Sequence, residues 1–177
     1  PRCGRAVSMP AMLARHTCPL LVSLLTAATL AGQQGTDPTA AWLDDELPSL
    51  VELYQDLHRR PELSFREVKT SARIASELET AGLEVTRAVG GLGVVGVLRN
   101  GDGPCVMLRA DLDGLPIGEQ TPVPYRSEFR MEGPDGRIAG VMHACGHDIH
   151  MGNLVGSARF LASHRQLWSG TLVCIGQ

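Results

Sequence analysis

The chain has 177 residues, of which 44% are hydrophobic and 20% charged, so it is long enough and apolar enough to fold around a core. This composition excludes a disordered or fibrous protein. A formal net charge of −3 argues against the basic surface that nucleic-acid-binding proteins use, and we expect no nucleic-acid partner.

Residues 1–32 are predicted to comprise a short upstream stretch followed by a secretory signal peptide. They contain three arginines and no acidic residue, and they end in the apolar run 19–31. This run is shorter than the ~20 residues that span a bilayer, which argues against a membrane anchor. A buried N-terminal helix is the alternative to a signal peptide. We therefore expect export to the periplasm or beyond the cell, with no stable membrane span once the signal is removed.

Two helices are predicted to follow a linker at residues 33–41. Leucines recur at helical spacing from residue 43 to residue 57, and the helix should end near Arg60 because a proline comes next. A second helix is predicted to start at Ser64, where Ser64 and Glu67 form a capping box. It should stop at Gly82.

The middle of the chain has the period of strands. The pattern predicts three strands, then a Pro- and Gly-rich loop with room for a short strand pair, then a helix and a last strand. In chain order these segments are 83–88, 94–99, 105–110, the loop 116–141, the helix 148–163 and the strand 171–175. The sequence thus predicts an α/β fold.

Asp111 and Asp113 come directly after the third predicted strand. Because side chains alternate along an extended segment, both carboxylates should point to one side. Ligand sites of open α/β sheets lie at the carboxyl ends of strands, which favours a site here. An Asx-type turn before Pro116 explains the two residues equally well.

Residues 143–150 (HACGHDIH) contain three histidines, a cysteine and an aspartate. Cys145 and His147 flank a glycine that permits a turn, so both can bind the same metal ion. They also lie at the start of the last predicted helix, where the helix dipole favours a thiolate. His150 can share a helix face with His147 and orient substrate or a ligand. Asp148 is either a supporting residue or a helix N-cap.

Three cysteines remain after the predicted leader, and an odd number leaves at least one thiol unpaired. Metal binding would account for a reduced Cys145. Cys105 and Cys174 lie in apolar strand segments and are predicted to be core residues, with a disulfide between them as the alternative.

The 177 residues contain no convincing general base for hydrolysis. If the last strand ends beside the two aspartates, the residues just after Gln177 should enter the site. A hydrolytic metal centre would need a carboxylate there, as a ligand and as a general base. We therefore expect a general-base glutamate just after Gln177 and none within the chain.

Four segments also match a pattern known from one enzyme family. They are 57–64 (LHRRPELS), 109–116 (RADLDGLP), 143–150 (HACGHDIH) and the strand 170–177. Together they resemble the M20 metallopeptidases, specifically the amidohydrolase branch of hippurate, N-acyl-amino-acid and IAA-amino-acid hydrolases. This resemblance implies that residues 42–177 are the N-terminal part of a catalytic domain with helices packed on a central mixed sheet, of the dinuclear-metal exopeptidase type.

The resemblance also implies a site. Two divalent ions, zinc or manganese with cobalt or nickel as alternatives, would activate water for attack on an amide carbonyl. Cys145 and His147 match metal ligands of that branch, and Asp113, with Asp111, matches an acidic motif that supports the ligands. The family's Pro-Ala-Glu-Glu segment, two further histidines and dimerisation domain do not occur in the 177 residues. The chain as given is therefore expected to be inactive, and the full-length protein to be a homodimer.

The leading hypothesis is a metal-dependent amidohydrolase acting on N-acyl or N-aroyl amino acids. A dipeptidase or carboxypeptidase of the same family is one alternative, with a short peptide as substrate. A non-catalytic metal-binding or thiol module, in which Cys145 is a sensor, is the other. Such a thiol should react with alkylating reagents even at saturating metal, whereas a ligand should be protected.

Overall fold

The computed structural model describes residues 37–133 and 136–177. The predicted leader at residues 1–32 lies outside the described residues and stays a prediction. No helix in the described part of the chain is long and apolar enough to cross a membrane. The described residues form the following elements: α1 Pro38–Arg59, α2 Val68–Thr80, β1 Glu84–Val89, β2 Gly93–Asn100, β3 Cys105–Ala110, β4 Arg130–Glu132, β5 Ile138–Gly140, α3 His147–Ser163, a 3-10 turn Arg165–Leu167 and β6 Gly170–Gly176.

The four longer strands form one mixed sheet in the order β1–β2–β6–β3. Strand β2 pairs antiparallel with β1 and β6, whereas β3 pairs parallel with β6. Ala110 pairs with Gly176, so the carboxyl ends of β3 and β6 lie side by side. Strands β4 and β5 form a separate hairpin, within the loop where a short strand pair was expected. The predicted α/β fold with a central mixed sheet is confirmed.

The hydrophobic core lies between the helices and this sheet. Alternate residues of β2 and β6 are buried, as expected for strands with one covered face. They join buried side chains from all three helices, including Leu53, Leu57, Ile74, Leu78, Met151, Leu154 and Val155. This packing fixes the end of α1 and the start of α3 against the same sheet.

Three cysteines are present in the described residues, and all three are free. Cys174 is a core residue, as predicted, and burial raises the pKa of its thiol to about 12. The prediction for Cys105 was wrong, because this residue is exposed at the start of β3, an edge strand of the sheet.

Helix α1 begins earlier than the sequence pattern indicated. Residues 38–41 were assigned to the linker, but they form the first turn of α1. Asp37 is the N-cap, and its carboxylate accepts a hydrogen bond from the backbone N–H of Thr39 at 2.9 Å. Pro38 occupies the first helical position, where a missing N–H costs nothing. Asp37-Pro38 is therefore the start signal that the linker assignment overlooked.

Helix α2 begins at Val68 rather than at Ser64, and its cap is not the predicted box. The carboxylate of Glu62, which is buried, accepts hydrogen bonds from the backbone N–H groups of Lys69 and Thr70 at 2.9 and 2.8 Å. Glu67 instead accepts from the N–H of Phe65. The prediction failed because a buried carboxylate six residues upstream satisfies the first turn, which leaves Ser64 free for another contact. The helix ends before Gly82, as predicted, with Gly82 at φ +88°.

Candidate metal centre

Asp111 and Asp113 lie at the carboxyl edge of the sheet, beside the end of β6. The backbone N–H of Leu112 donates to the carbonyl of Gln177 at 2.8 Å, and the N–H of Gln177 donates to the carbonyl of Ala110 at 3.0 Å. The guanidinium of Arg109 contacts both Asp111 and the side chain of Gln177. This agrees with the expectation that the last strand ends next to the two aspartates.

Asp113 holds the imidazole of His147. The His147 Nδ1 atom lies 2.9 Å from the backbone carbonyl oxygen of Asp113 and 3.0 Å from its Oδ1 atom. Because both neighbours are acceptors, Nδ1 must carry a proton. The second carboxylate oxygen of Asp113 accepts a hydrogen bond from the hydroxyl of Ser64. Asp113 is thus fixed from one side by Ser64 and fixes His147 on the other.

The other ring nitrogen of His147 faces Asp111. Its Nε2 atom lies 3.8 Å from Oδ2 of Asp111, too far for a hydrogen bond. In a neutral imidazole with the proton on Nδ1, Nε2 presents a lone pair. Proteins commonly orient a metal-binding histidine in this way, with a carboxylate or carbonyl on the far nitrogen.

Cys145 is exposed and unpaired, two residues before His147. Gly146 separates them at φ +73° and forms the N-cap of α3, in a left-handed conformation that favours glycine. The predicted role of Gly146 as a turn is therefore confirmed. The thiol therefore lies just before the first turn of α3.

Thiolate, imidazole and carboxylate are donors that suit zinc, and carboxylates also suit manganese. We name Cys145, His147, Asp111 and Asp113 the outer cluster. Within residues 37–133 and 136–177, however, no group of three or more His, Cys, Asp or Glu side chains is arranged to hold an ion. The donor atoms of the outer cluster are therefore of the kinds that bind a divalent ion. They provide only part of the ligand set that such an ion needs.

The two remaining predicted site residues have different surroundings. His150 is exposed, and its ring centroid lies 5.9 Å from that of His147, so the two share a helix face as expected. Asp148 is almost fully buried, and the N-cap alternative for it is wrong because Gly146 occupies that position. Its Oδ2 atom lies 2.6 Å from Nδ1 of His58 at the end of α1.

The sequence reasoning missed His58 and Glu119 as residues near the site. His58 is 7% exposed, and its Nε2 atom lies 3.1 Å from Oε1 of Glu119. We name His58, Asp148 and Glu119 the inner cluster. One signal was available, because His58 adjoins the buried helical stripe that includes Leu57, where an imidazole needs polar partners.

Charges in the inner cluster support one another. Burial opposes a charge on His58, but the hydrogen bonds that His58 donates to Asp148 and Glu119 outweigh it, and the pKa of His58 is raised above its ordinary value. Burial also acts against the Glu119 carboxylate, but hydrogen bonds from Thr121, Ser127 and His58 lower its pKa. Both shifts favour the charged forms.

His143 is a second buried histidine that the sequence reasoning left without a role. It is 5% exposed, and neither of its ring nitrogens has a hydrogen-bonding partner among the described residues. Burial, the largest influence, lowers its pKa. A neutral imidazole is therefore expected here, in contrast to His58.

Comparisons with known proteins show which proteins this chain resembles. The model of peptidase family M20/M25/M40 matches residues 107–177. IAA-amino acid hydrolase ILR1-like 2 of Arabidopsis thaliana is 41% identical over 128 residues, which cover 72% of this chain and 27% of that relative. Thermostable carboxypeptidase 2 of Saccharolobus solfataricus is 39% identical over 130 residues, which cover 72% of this chain and 31% of that relative. The chain spans less than a third of the length of either relative.

A solved structure of an M20 family protein is also similar to this chain. The Bacillus subtilis YXEP protein, described as a dinuclear metal binding peptidase from the M20 family, is similar with a TM-score of 0.66 and 37% sequence identity. The similarity covers 76% of this chain and 35% of that protein. The chain therefore belongs to the M20 peptidase family, as the four motifs predicted.

Proposed function

We propose that this chain contributes to a metal-dependent amidohydrolase that cleaves the amide bond of N-acyl or N-aroyl amino acids. The observation that carries the proposal is the contact between Asp113 and His147 Nδ1. It fixes the ring so that Nε2 faces Asp111, and the exposed Cys145 lies two residues earlier in the chain. Membership of the M20 family supports hydrolysis as the reaction class.

Cys145 and His147 would hold the metal, and Asp113 would keep His147 in the tautomer that binds it. Two divalent ions would supply Lewis acidity and activate water for attack on the amide carbonyl, and the YXEP protein is described as dinuclear metal binding. Asp111, fixed by Arg109, adds negative charge opposite His147 Nε2. This charge favours a cation between the two side chains.

The acyl-amino-acid substrate is supported by the relative described as an IAA-amino acid hydrolase. A carboxypeptidase activity on short peptides is the second candidate, because the thermostable carboxypeptidase is nearly as similar. Both substrates present an amide bond next to an amino acid with a free carboxylate. They differ in the group on the acyl side.

Hydrolysis by the product of the complete gene tests the proposal. We expect it to release glycine from N-benzoylglycine faster than from a glycyl dipeptide, and to lose activity on chelation and regain it with Zn²⁺ or Mn²⁺. His147→Asn should abolish the activity, while His164→Asn, at the far end of α3, should leave it unchanged. Faster cleavage of the dipeptide would favour the carboxypeptidase, and no hydrolysis by metal-loaded protein over a broad panel of both substrates would refute the proposal.

A further inference from the structure

The inner cluster is a buried charged group that the proposed chemistry does not use. The His58 Nδ1 atom lies 2.6 Å from Asp148 Oδ2, and its Nε2 atom lies 3.1 Å from Glu119 Oε1. The side chains of Asp148 and Glu119 are 3% and 0% exposed. The rings of Tyr54 and Tyr125 pack against the imidazole, with centroids 5.6 and 5.3 Å away.

Both ring nitrogens of His58 face carboxylate oxygens, which only accept hydrogen bonds. Each nitrogen must therefore donate, and the ring is an imidazolium. A buried ion pair of this kind contributes little net stability compared with apolar packing, so its presence calls for a role in fixing a conformation.

The inner cluster joins three separate segments of the chain. His58 is at the end of α1, Glu119 lies in the loop 116–129, and Asp148 is in the first turn of α3. Glu119 also accepts from the hydroxyl of Thr121 and from the backbone N–H of Ser127. The same imidazole therefore anchors both the loop and the start of α3 to α1.

Asp148 is the side chain through which this anchor reaches the metal-binding segment. The N-cap of α3 is a glycine, so no N-cap side chain bonds the first turn. Asp148 Oδ1 accepts from the N–H of Ile149 at 2.9 Å, while Oδ2 binds His58. The next residue towards the N-terminus is His147. His58 thus restrains the turn that carries His147, through a contact separate from that of Asp113.

We propose that His58 is a positioning residue: its imidazolium, bound by Asp148 and Glu119, holds the first turn of α3 so that Cys145 and His147 can bind the same divalent ion. The inference rests on the proposed function for its consequence, but the restraint itself can be measured without metal. A purely stabilising ion pair would not distinguish the Asp148 contact from the Glu119 contact.

Two substitutions separate these contacts. The amide nitrogen of asparagine is two bonds from Cβ, like Nδ1 of histidine, so His58→Asn can still donate to Asp148. The amide nitrogen of glutamine is three bonds from Cβ, like Nε2, so His58→Gln can still donate to Glu119. Each variant loses the charge and one buried hydrogen bond, and the two form a matched pair for stability.

Two measurements on the product of the complete gene test the proposal. In Zn²⁺ titrations, we expect His58→Gln to weaken binding about tenfold, as for other residues that orient a ligand, and His58→Asn to retain most of the affinity. By hydrogen exchange without metal, the Ile149 amide should exchange at least about tenfold faster in His58→Gln than in His58→Asn. Both variants should lose similar thermal stability.

Equal losses in the two variants, in proportion to their thermal stability, would overturn the proposal, as would unchanged Ile149 exchange in His58→Gln. If wild-type protein binds no Zn²⁺, the proposed function fails, and the Ile149 exchange still decides whether His58 restrains α3. If neither variant folds, Glu119→Gln makes the test. It leaves the contact between His58 and Asp148 in place, so Zn²⁺ affinity and Ile149 exchange should stay within about threefold of wild type, and larger changes would contradict the proposal.

Discussion

The inner and outer clusters, which meet at the start of α3, differ in burial and in hydrogen bonding. In the inner cluster, His58, Asp148 and Glu119 are buried and charged, and each binds at least one of the others. In the outer cluster, Cys145 is exposed and His147 Nε2 is 3.8 Å from Asp111, with no hydrogen bond joining the two. The inner side fixes the backbone, and the outer side presents donors to solvent. In the proposed site, Asp148 would therefore serve positioning, while Cys145 and His147 in the same short segment would serve metal binding.

The largest expected effect comes from breaking the inner cluster. Asp148→Ala leaves the Nδ1 proton of a buried imidazolium without a partner, and we expect the free energy of unfolding to fall by about 3–5 kcal/mol. Chemical denaturation measures this loss, with Asp102→Ala in the exposed turn after β2 as the control. A loss below about 1 kcal/mol would mean that the contact is not formed in solution.

Removing the support of His147 should weaken metal binding while leaving most of the stability. Asp113→Ala deletes the carboxylate that accepts from His147 Nδ1, so we expect Zn²⁺ to bind about 10–100-fold more weakly by calorimetric titration. Ser64→Ala removes only the hydrogen bond behind Asp113 and should have a smaller effect in the same direction. Unchanged affinity in Asp113→Ala would show that His147 needs no orientation by this residue.

The inner cluster should also make stability depend on pH. Because the pKa of His58 is raised on folding, its contribution is complete below the unfolded value of about 6.5 and is lost as pH rises through the folded pKa. The lowered pKa of Glu119 has the opposite sign, and its contribution is lost towards acid pH. The stability difference between wild type and His58→Gln should therefore shrink as the pH rises above about 6.5. A difference that grows over this range would contradict the charged state of His58.

The smallest effect on stability is expected in the outer cluster. Cys145 is exposed and contributes nothing to the core, so Cys145→Ser should change the free energy of unfolding by no more than about 0.5 kcal/mol. Thermal denaturation without metal measures this, with Cys174→Ser as a contrast, because that thiol is fully buried. Equal losses in the two variants would mean that Cys145 is part of the packed structure.

Local patterns were enough to predict most of the fold. The strands β1, β2, β3 and β6 and the helix α3 follow from period and turn residues within about two positions. The α2 start was wrong because Glu62, rather than the nearby Ser64, satisfies its backbone. The cap depends on where the chain between Pro61 and Val68 turns, which no local pattern encodes.

The candidate site was predicted in part for the same reason. Cys145 and His147 lie in a segment that is dense in potential ligands, and the two aspartates follow a predicted strand, so local patterns singled them out. The inner cluster joins residues 61 and 90 positions apart in the sequence, and only the packed helices bring them together. Asp148 stands out in the sequence for its place at a helix start, but only the fold shows that it binds His58.

The most direct test asks whether Cys145 and a metal ion protect each other. Alkylation of the exposed thiols is followed with and without Zn²⁺ in wild type, Cys105→Ser and His147→Asn, with mass mapping of the modified cysteine. The account predicts that Zn²⁺ slows alkylation of Cys145 in wild type and in Cys105→Ser, and that this protection disappears in His147→Asn. Equally rapid alkylation of Cys145 at saturating Zn²⁺ in wild type would contradict it and favour a thiol module without a metal ligand at this position.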